Sequence, residues 1–166
     1  MSPSTVTLRL EVVVIPVTDP ARAKEFFLGL GWRLDNDFQG DNGYRRLQVT
    51  PPGSNASIMF GSGVTAAQPG SHDGLVLVVD DVAAARSELV AAGVDVSEVF
   101  HDAGGGFGAG FHIGEGSRAN GPDPEHRSYT SFASFRDSEG NRWLLQEVVE
   151  RLPGREWDAR GDVAAR

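Results

Sequence analysis

Few residues in this chain have types and spacings that can do chemistry, and they fall in its second half. Glu147 ends the stretch FRDSEGNRWLLQEV (135–148), where a carboxylate at the end of a strand can ligate a metal or stand as a charge on the solvent side. His101, Asp102 and His112 lie in or beside a glycine-rich stretch. Two imidazoles and a carboxylate suit a divalent cation, and either histidine can work as a general acid or base without one. His101 and His112 are therefore the catalytic candidates. His72 is isolated, and reads as a linker histidine. With no cysteine, thiolate ligands, thiol nucleophiles and disulfides are excluded together. No Ser/His/Asp set has a spacing that argues for a nucleophile. GGGFGAG (104–110) lacks a following Gly-Lys-Ser/Thr and any helical pattern, which makes it a poor phosphate cradle.

The elements that must position these groups occur twice. Residues 12–38 align with 74–100 at a constant offset of 62, matching Val17 with Val79, Asp19 with Asp81, Ala23 with Ala85 and Gly31 with Gly93. Each copy begins with a β-branched strand, followed by an aspartate placed as a helix N-cap. In the first copy Ala23, Phe26, Phe27 and Leu30 form one apolar stripe, and Val82, Ala85, Leu89 and Ala92 repeat it more weakly. Gly31 and Gly93 stop the helices. Strands are expected over 32–35, 44–50 and 56–60 in the first copy and over 94–100, 129–135 and 142–149 in the second. Asp41-Asn42-Gly43 and PPGSN turn the first copy, and DSEG (137–140) the second.

The fold class is thus α+β, with two tandem βαβββ modules whose mixed sheet curls around a cavity. The first module spans 6–62, a linker 63–73, the second module 74–150 and a polar tail 151–166. Between the helices and the last turns the offset grows from 62 to 87, so the second module carries 25 extra residues within 101–128. That insertion holds eight glycines and three of the four histidines, a composition suited to a lid or binding loop. Phe107 and Phe111 can close over an apolar ligand, with His101 and His112 as polar contacts. Arg127 and Tyr129, beyond its prolines, either anchor the loop or line the cavity mouth. Trp32, Phe135 and Trp143 are core aromatics.

A net charge of −8, with no basic cluster denser than Arg45-Arg46, argues against nucleic acid as a partner. No apolar run approaches the roughly 18 residues of a membrane span. The first ten residues lack the basic and apolar regions of a secretory leader. With the absence of cysteine, these features place the protein in the cytoplasm.

IPVTDPARAKEFFLGLGWRL (15–34) and SFRDSEGNRWLLQEV (134–148), together with the repeat, resemble the glyoxalase/bleomycin-resistance/dioxygenase (vicinal oxygen chelate) superfamily over about residues 7–150. The resemblance implies metal ligands seven residues before each capping Asp and four after each turn Gly. Here those positions hold Val12, Gly74, Ser57 and Leu144, which cannot make a carboxylate/imidazole centre. No cofactor is therefore expected, and a divalent metal only at a non-standard site from His101, Asp102 and His112. Strand alternation puts Gln146 on the face of Leu144 and Glu147 on the other, where it is solvated or faces the helix. By the same parity His72 shares the face of Gly74. The resemblance implies a binder of a small, largely apolar molecule, paired as a homodimer. Its candidate contacts are Val12, Met59, Phe107, Phe111, His112, Tyr129, Leu144 and Gln146, with Val14 and Val76 as further walls. The alternatives are a lyase, isomerase or dioxygenase of that superfamily working through the 101–128 loop, and a regulatory or structural subunit with a self-filled cavity.

Overall fold

Residues 8–106, 108–111 and 116–155 are described by the computed structural model of the protein. The chain divides into two compact units, Met1–Gln68 and Pro69–Arg166, and the boundary falls inside the segment expected as the linker.

The first unit has the order β1 (Val12–Val14), α1 (Pro20–Gly29), β2 (Arg33–Gln39), β3 (Arg45–Thr50) and β4 (Ser57–Ser62). Its sheet runs β1-β4-β3-β2, with β1 parallel to β4 and the other pairs antiparallel. Asp19 starts the helix by accepting the backbone N–H groups of Ala21 at 3.0 Å and Arg22 at 3.1 Å. Gly31, at φ 78°, takes the left-handed turn that ends it. The apolar stripe then has a defined target. Ala23 and Phe27 are fully buried, as are Leu47, Val49 and Phe60 on the facing strands. Phe27 meets Phe60 and Trp32 at ring-centroid distances of 5.7 and 4.8 Å. Burying an aromatic of this size contributes on the order of 2–3 kcal/mol, so this contact seats the helix.

The second unit repeats the plan with additions: β5 (Asp73–Val79), α2 (Val82–Ala91), β6 (Phe100–Asp102), β7 (Arg118–Asn120), β8 (Ser131–Arg136) and β9 (Arg142–Glu147). The sheet order is β5-β9-β8-β6-β7, with β5 parallel to β9. Asp81 caps α2 through Ala83 and Ala84, both at 2.9 Å, and Gly93 ends it at φ 86°.

Three sequence expectations are corrected in this unit. Residues 94–99 do not form a strand; Val94 and Val96 are buried, and only Val96 bridges to Phe135, so the strand begins at Phe100. The insertion is not all loop either, because β7 pairs antiparallel with β6 and widens the sheet. A bulge between Asp73 and Leu75, with Gly74 at φ 88°, also breaks the alternation that put His72 on the face of Gly74.

The DSEGN turn follows from one carboxylate. Asp137 accepts the backbone N–H groups of Glu139 at 2.9 Å and Asn141 at 3.0 Å, and the Trp143 indole N–H at 3.1 Å. The Asn141 side chain donates to the same carboxylate at 3.0 Å, while its carbonyl oxygen accepts the His72 backbone N–H at 3.2 Å. His72 in turn accepts the Arg142 backbone N–H at 2.9 Å, which aligns β5 with β9. The motif is a structural clamp, and His72 joins it through its backbone.

Candidate functional site

Register sorts the second unit into two faces. Val76, Val78, Leu144, Gln146, Phe132 and Phe100 share one, because Val76 pairs with Leu144, Val78 and Phe132 pair with Gln146, and Phe100 pairs with Phe132. Trp143, Leu145 and Glu147 share the other, which α2 covers.

Glu147 lies on the helix side, as alternation requires, but it is buried and not solvated. Its Oε2 accepts the backbone N–H of Val82, the first residue of α2, at 3.0 Å. The positive end of a helix and an orphan N–H compensate the buried charge. Its Oε1 lies 3.9 Å from His126 Nδ1. The acid is thus a helix anchor and does not look onto the other face.

The insertion splits between the two faces. Its first part crosses the Leu144 face, where Ala109 packs with Phe100, Phe132 and Leu144 in a closed cluster. Gly110 allows that approach, since a Cβ there would lie 2.7 Å from both Leu144 and Phe132 carbons. Arg118 lies over the Phe100 ring at 4.2 Å and donates to the Ala109 carbonyl at 3.3 Å, pinning the strap. Phe111 meets Phe132 edge-on at 6.1 Å and remains half exposed. The last part of the insertion is clipped by Asp123, which is buried and accepts the Arg127 guanidinium twice, at 2.9 Å each. The Arg127 side chain holds the Asp123 carboxyl far below the usual aspartate value, against the opposing effect of burial.

His101 points away from the Leu144 face, and its Nδ1 lies 2.8 Å from the Gly121 carbonyl. Asp102 follows it on β6 and therefore faces the opposite side, where it accepts the Gly104 N–H at 2.8 Å. The two do not converge. His112 and Phe107 lie outside the described residues. Among the described residues no group of three or more His, Cys, Asp or Glu is placed to hold a metal ion.

The metal positions implied by the resemblance do not fit a divalent cation. Leu144 is fully buried under the strap, Gly74 has no side chain, and Val12 offers no donor. The Ser57 hydroxyl lies 2.7 Å from that of Thr50, which donates to Asp35. Burial pushes the Asp35 carboxyl up, but the hydrogen bonds from Thr50 and Arg33 prevail and hold it below the usual value. That cluster was not legible beforehand, because Asp35 and Ser57 are brought together only by strand pairing. Val12 and Met59 lie half-buried on the same side of the first unit's sheet as Ser57.

Beside the strap, a cleft of about 430 Å³ opens over the remaining half of the Leu144 face. Val76, Val78, Phe111, Tyr129, Gln146, Leu152 and Arg155 line it. Gln146 is 7% exposed, and its Nε2 donates to the Tyr129 carbonyl at 3.1 Å. Tyr129 is held at φ 73°, its N–H on the Glu147 carbonyl at 2.7 Å and its hydroxyl accepting from Leu152 N–H at 3.2 Å. The structure thus brings Phe111, Tyr129 and Gln146 together, whereas Leu144 belongs to the packed cluster alongside.

The chain is 27% identical to TnmS3, an antibiotic binding protein from Streptomyces sp. CB03234, over 87% of this chain and 99% of that one, with a TM-score of 0.63. It is 28% identical to a glyoxalase/bleomycin resistance protein from the same organism, over 84% and 100%, with a TM-score of 0.59. A superfamily member from Sphaerobacter thermophilus DSM 20745, at 22% identity over 85% and 98%, shares the fold with a TM-score of 0.61. No curated protein matches significantly. Residues 9–145 match the model of the Glyoxalase/Bleomycin resistance protein/Dioxygenase superfamily, and the chain belongs to that family.

Proposed function

We propose that this protein binds a small, largely apolar molecule, and does so without the divalent metal used by catalytic members of its superfamily. The observation that carries the reading is the cleft beside the strap, with apolar walls from Val76, Val78, Phe111 and Leu152 and one buried carboxamide, Gln146. Apolar walls with few fixed polar groups are the usual make-up of a small-molecule site. Similarity to an antibiotic binding protein supports the same class of role. The residues at the usual ligand positions support metal independence, since they supply a single donor, the Ser57 hydroxyl. Binding would be sequestration, with Phe111 at the end of the strap covering one side of the ligand. We place the protein in the cytoplasm, on its lack of cysteine, and as a homodimer, on family analogy; light scattering on the purified chain checks the second point. No helix among the described residues is long and apolar enough to cross a membrane.

A thermal-shift screen of apolar small molecules, followed by calorimetry, tests the function. Ligands that bind only the folded state raise its melting temperature. Val76→Arg, at a partly exposed position, fills the cleft without disturbing the core, and should abolish the shift. A screen without a stabilising compound, or a shift unaffected by Val76→Arg, would overturn the assignment.

A further inference from the structure

The orientation of the Gln146 side chain sets a chemical requirement on the ligand. A backbone carbonyl can only accept, so the atom that faces the Tyr129 oxygen at 3.1 Å must be the amide nitrogen. The usual ambiguity between the oxygen and nitrogen of a carboxamide is thereby removed. Tyr129 is itself fixed on both sides, by the Glu147 carbonyl and by Leu152, so the carboxamide cannot easily turn over. What remains is Oε1, with no hydrogen-bond partner among the described residues, on a side chain that is more than nine-tenths buried and lines the cleft. The oxygen faces the cleft, where water can reach it; a ligand that shuts that water out without donating in return leaves the acceptor unpaired at a cost, and a ligand that donates to it avoids the cost.

We infer that Gln146 makes the cleft selective for molecules carrying an O–H or N–H donor on an otherwise apolar framework, such as a phenol, an alcohol or a secondary amide. An ether or ester of the same shape leaves Oε1 unpaired and adds bulk against it. Sites built around a hydrogen bond reject analogues that lack it far more strongly than apolar walls reject a missing methylene. Gln146 is on this view a specificity residue. The inference rests on the binding role proposed above.

The test uses the full chain and three probes of nearly one shape: 2-naphthol, 2-methoxynaphthalene and naphthalene, with affinities measured by calorimetry. The protein should prefer 2-naphthol by about tenfold over the other two. Gln146→Met, similar in length and without the acceptor, should bind 2-methoxynaphthalene more tightly than the parent does and lose the preference for the naphthol. Gln146→Asn keeps the carboxamide but falls one methylene short, and should also lower the preference, which leaves a second variant if Gln146→Met does not fold. Equal affinity of the parent protein for naphthol and its methyl ether overturns the selectivity alone, and so does a preference that survives both substitutions. Failure of all three probes to bind overturns the binding role beneath it, which separates the two failures.

Discussion

The Glu147 carboxylate and the backbone N–H of Val82, 65 residues apart in the chain, meet at 3.0 Å in the interior of the second unit. Their contact ties the end of β9 to the start of α2. Glu147→Ala removes the acceptor and leaves a buried N–H without a partner, at a cost of about 2–3 kcal/mol. Glu147→Gln keeps an acceptor of the same size and should lose clearly less. Urea denaturation of the three proteins checks the order. Neither change should alter affinity for a ligand of the cleft, since the side chain faces the helix.

Gly110 permits the strap to reach the sheet. A side chain there meets Leu144 and Phe132 at 2.7 Å, inside van der Waals contact. Gly110→Val should destabilise by about 2 kcal/mol or lift the strap off the sheet. Amide hydrogen exchange across 108–111 distinguishes these, with faster exchange expected if the strap lifts.

Asp137 gathers donors from Glu139, Asn141 and Trp143. Asp137→Ala abandons several buried donors together, and should cost more than 3 kcal/mol by the sum of single losses. The Trp143 emission should shift to the red as its indole N–H turns to water. A change below 1 kcal/mol would show the turn to be held by other means.

Asp37 accepts from Arg45 at 3.0 and 2.8 Å and from Lys24 at 2.9 Å, and these bonds hold its carboxyl well below the ordinary aspartate value. Its folded-state value is depressed, so its stabilising contribution is complete above the unfolded value of about 3.9. The contribution is lost as pH falls toward the depressed value. The denaturation midpoint should therefore drop on acidification below about pH 4, with no matching change between pH 6 and 8. Asp37→Asn should lower stability at neutral pH and flatten the acid limb. An acid limb equally steep in Asp37→Asn would assign the effect to other carboxylates, Asp123 first among them.

Metal removal checks the proposed independence from divalent ions. Treatment with excess EDTA should leave both the melting temperature and the affinity for 2-naphthol unchanged. Loss of either, restored by one equivalent of a divalent ion, would place a metal site among groups such as His101 and His112.

Much of the architecture could be read from the chain alone because it is written in local physics. Period-3.6 stripes, capping aspartates at 19 and 81, and glycines at 31 and 93 each act within one turn of their own position. The repeat gives the module count, and the alternation of β9 turns Glu147 away from the Leu144 face but leaves open whether solvent or the helix meets it. Strand β7 leaves no signature in the sequence, because three residues in a glycine-rich run carry no alternation. Residues 94–99 differ for the opposite reason, since their buried valines suggest a full strand although the backbone meets β8 at a single bridge.

What only the tertiary structure decided is which groups meet across the chain. Burial of Glu147 depends on the helix N-terminus that answers its charge, and the Asp35–Thr50–Ser57 cluster depends on strand pairing and a bulge. The orientation of the Gln146 carboxamide depends on a tyrosine carbonyl 17 residues earlier, at a residue with a left-handed backbone angle. Sequence determines these contacts only through the folded arrangement, because a hydrogen bond between distant residues leaves no periodicity behind.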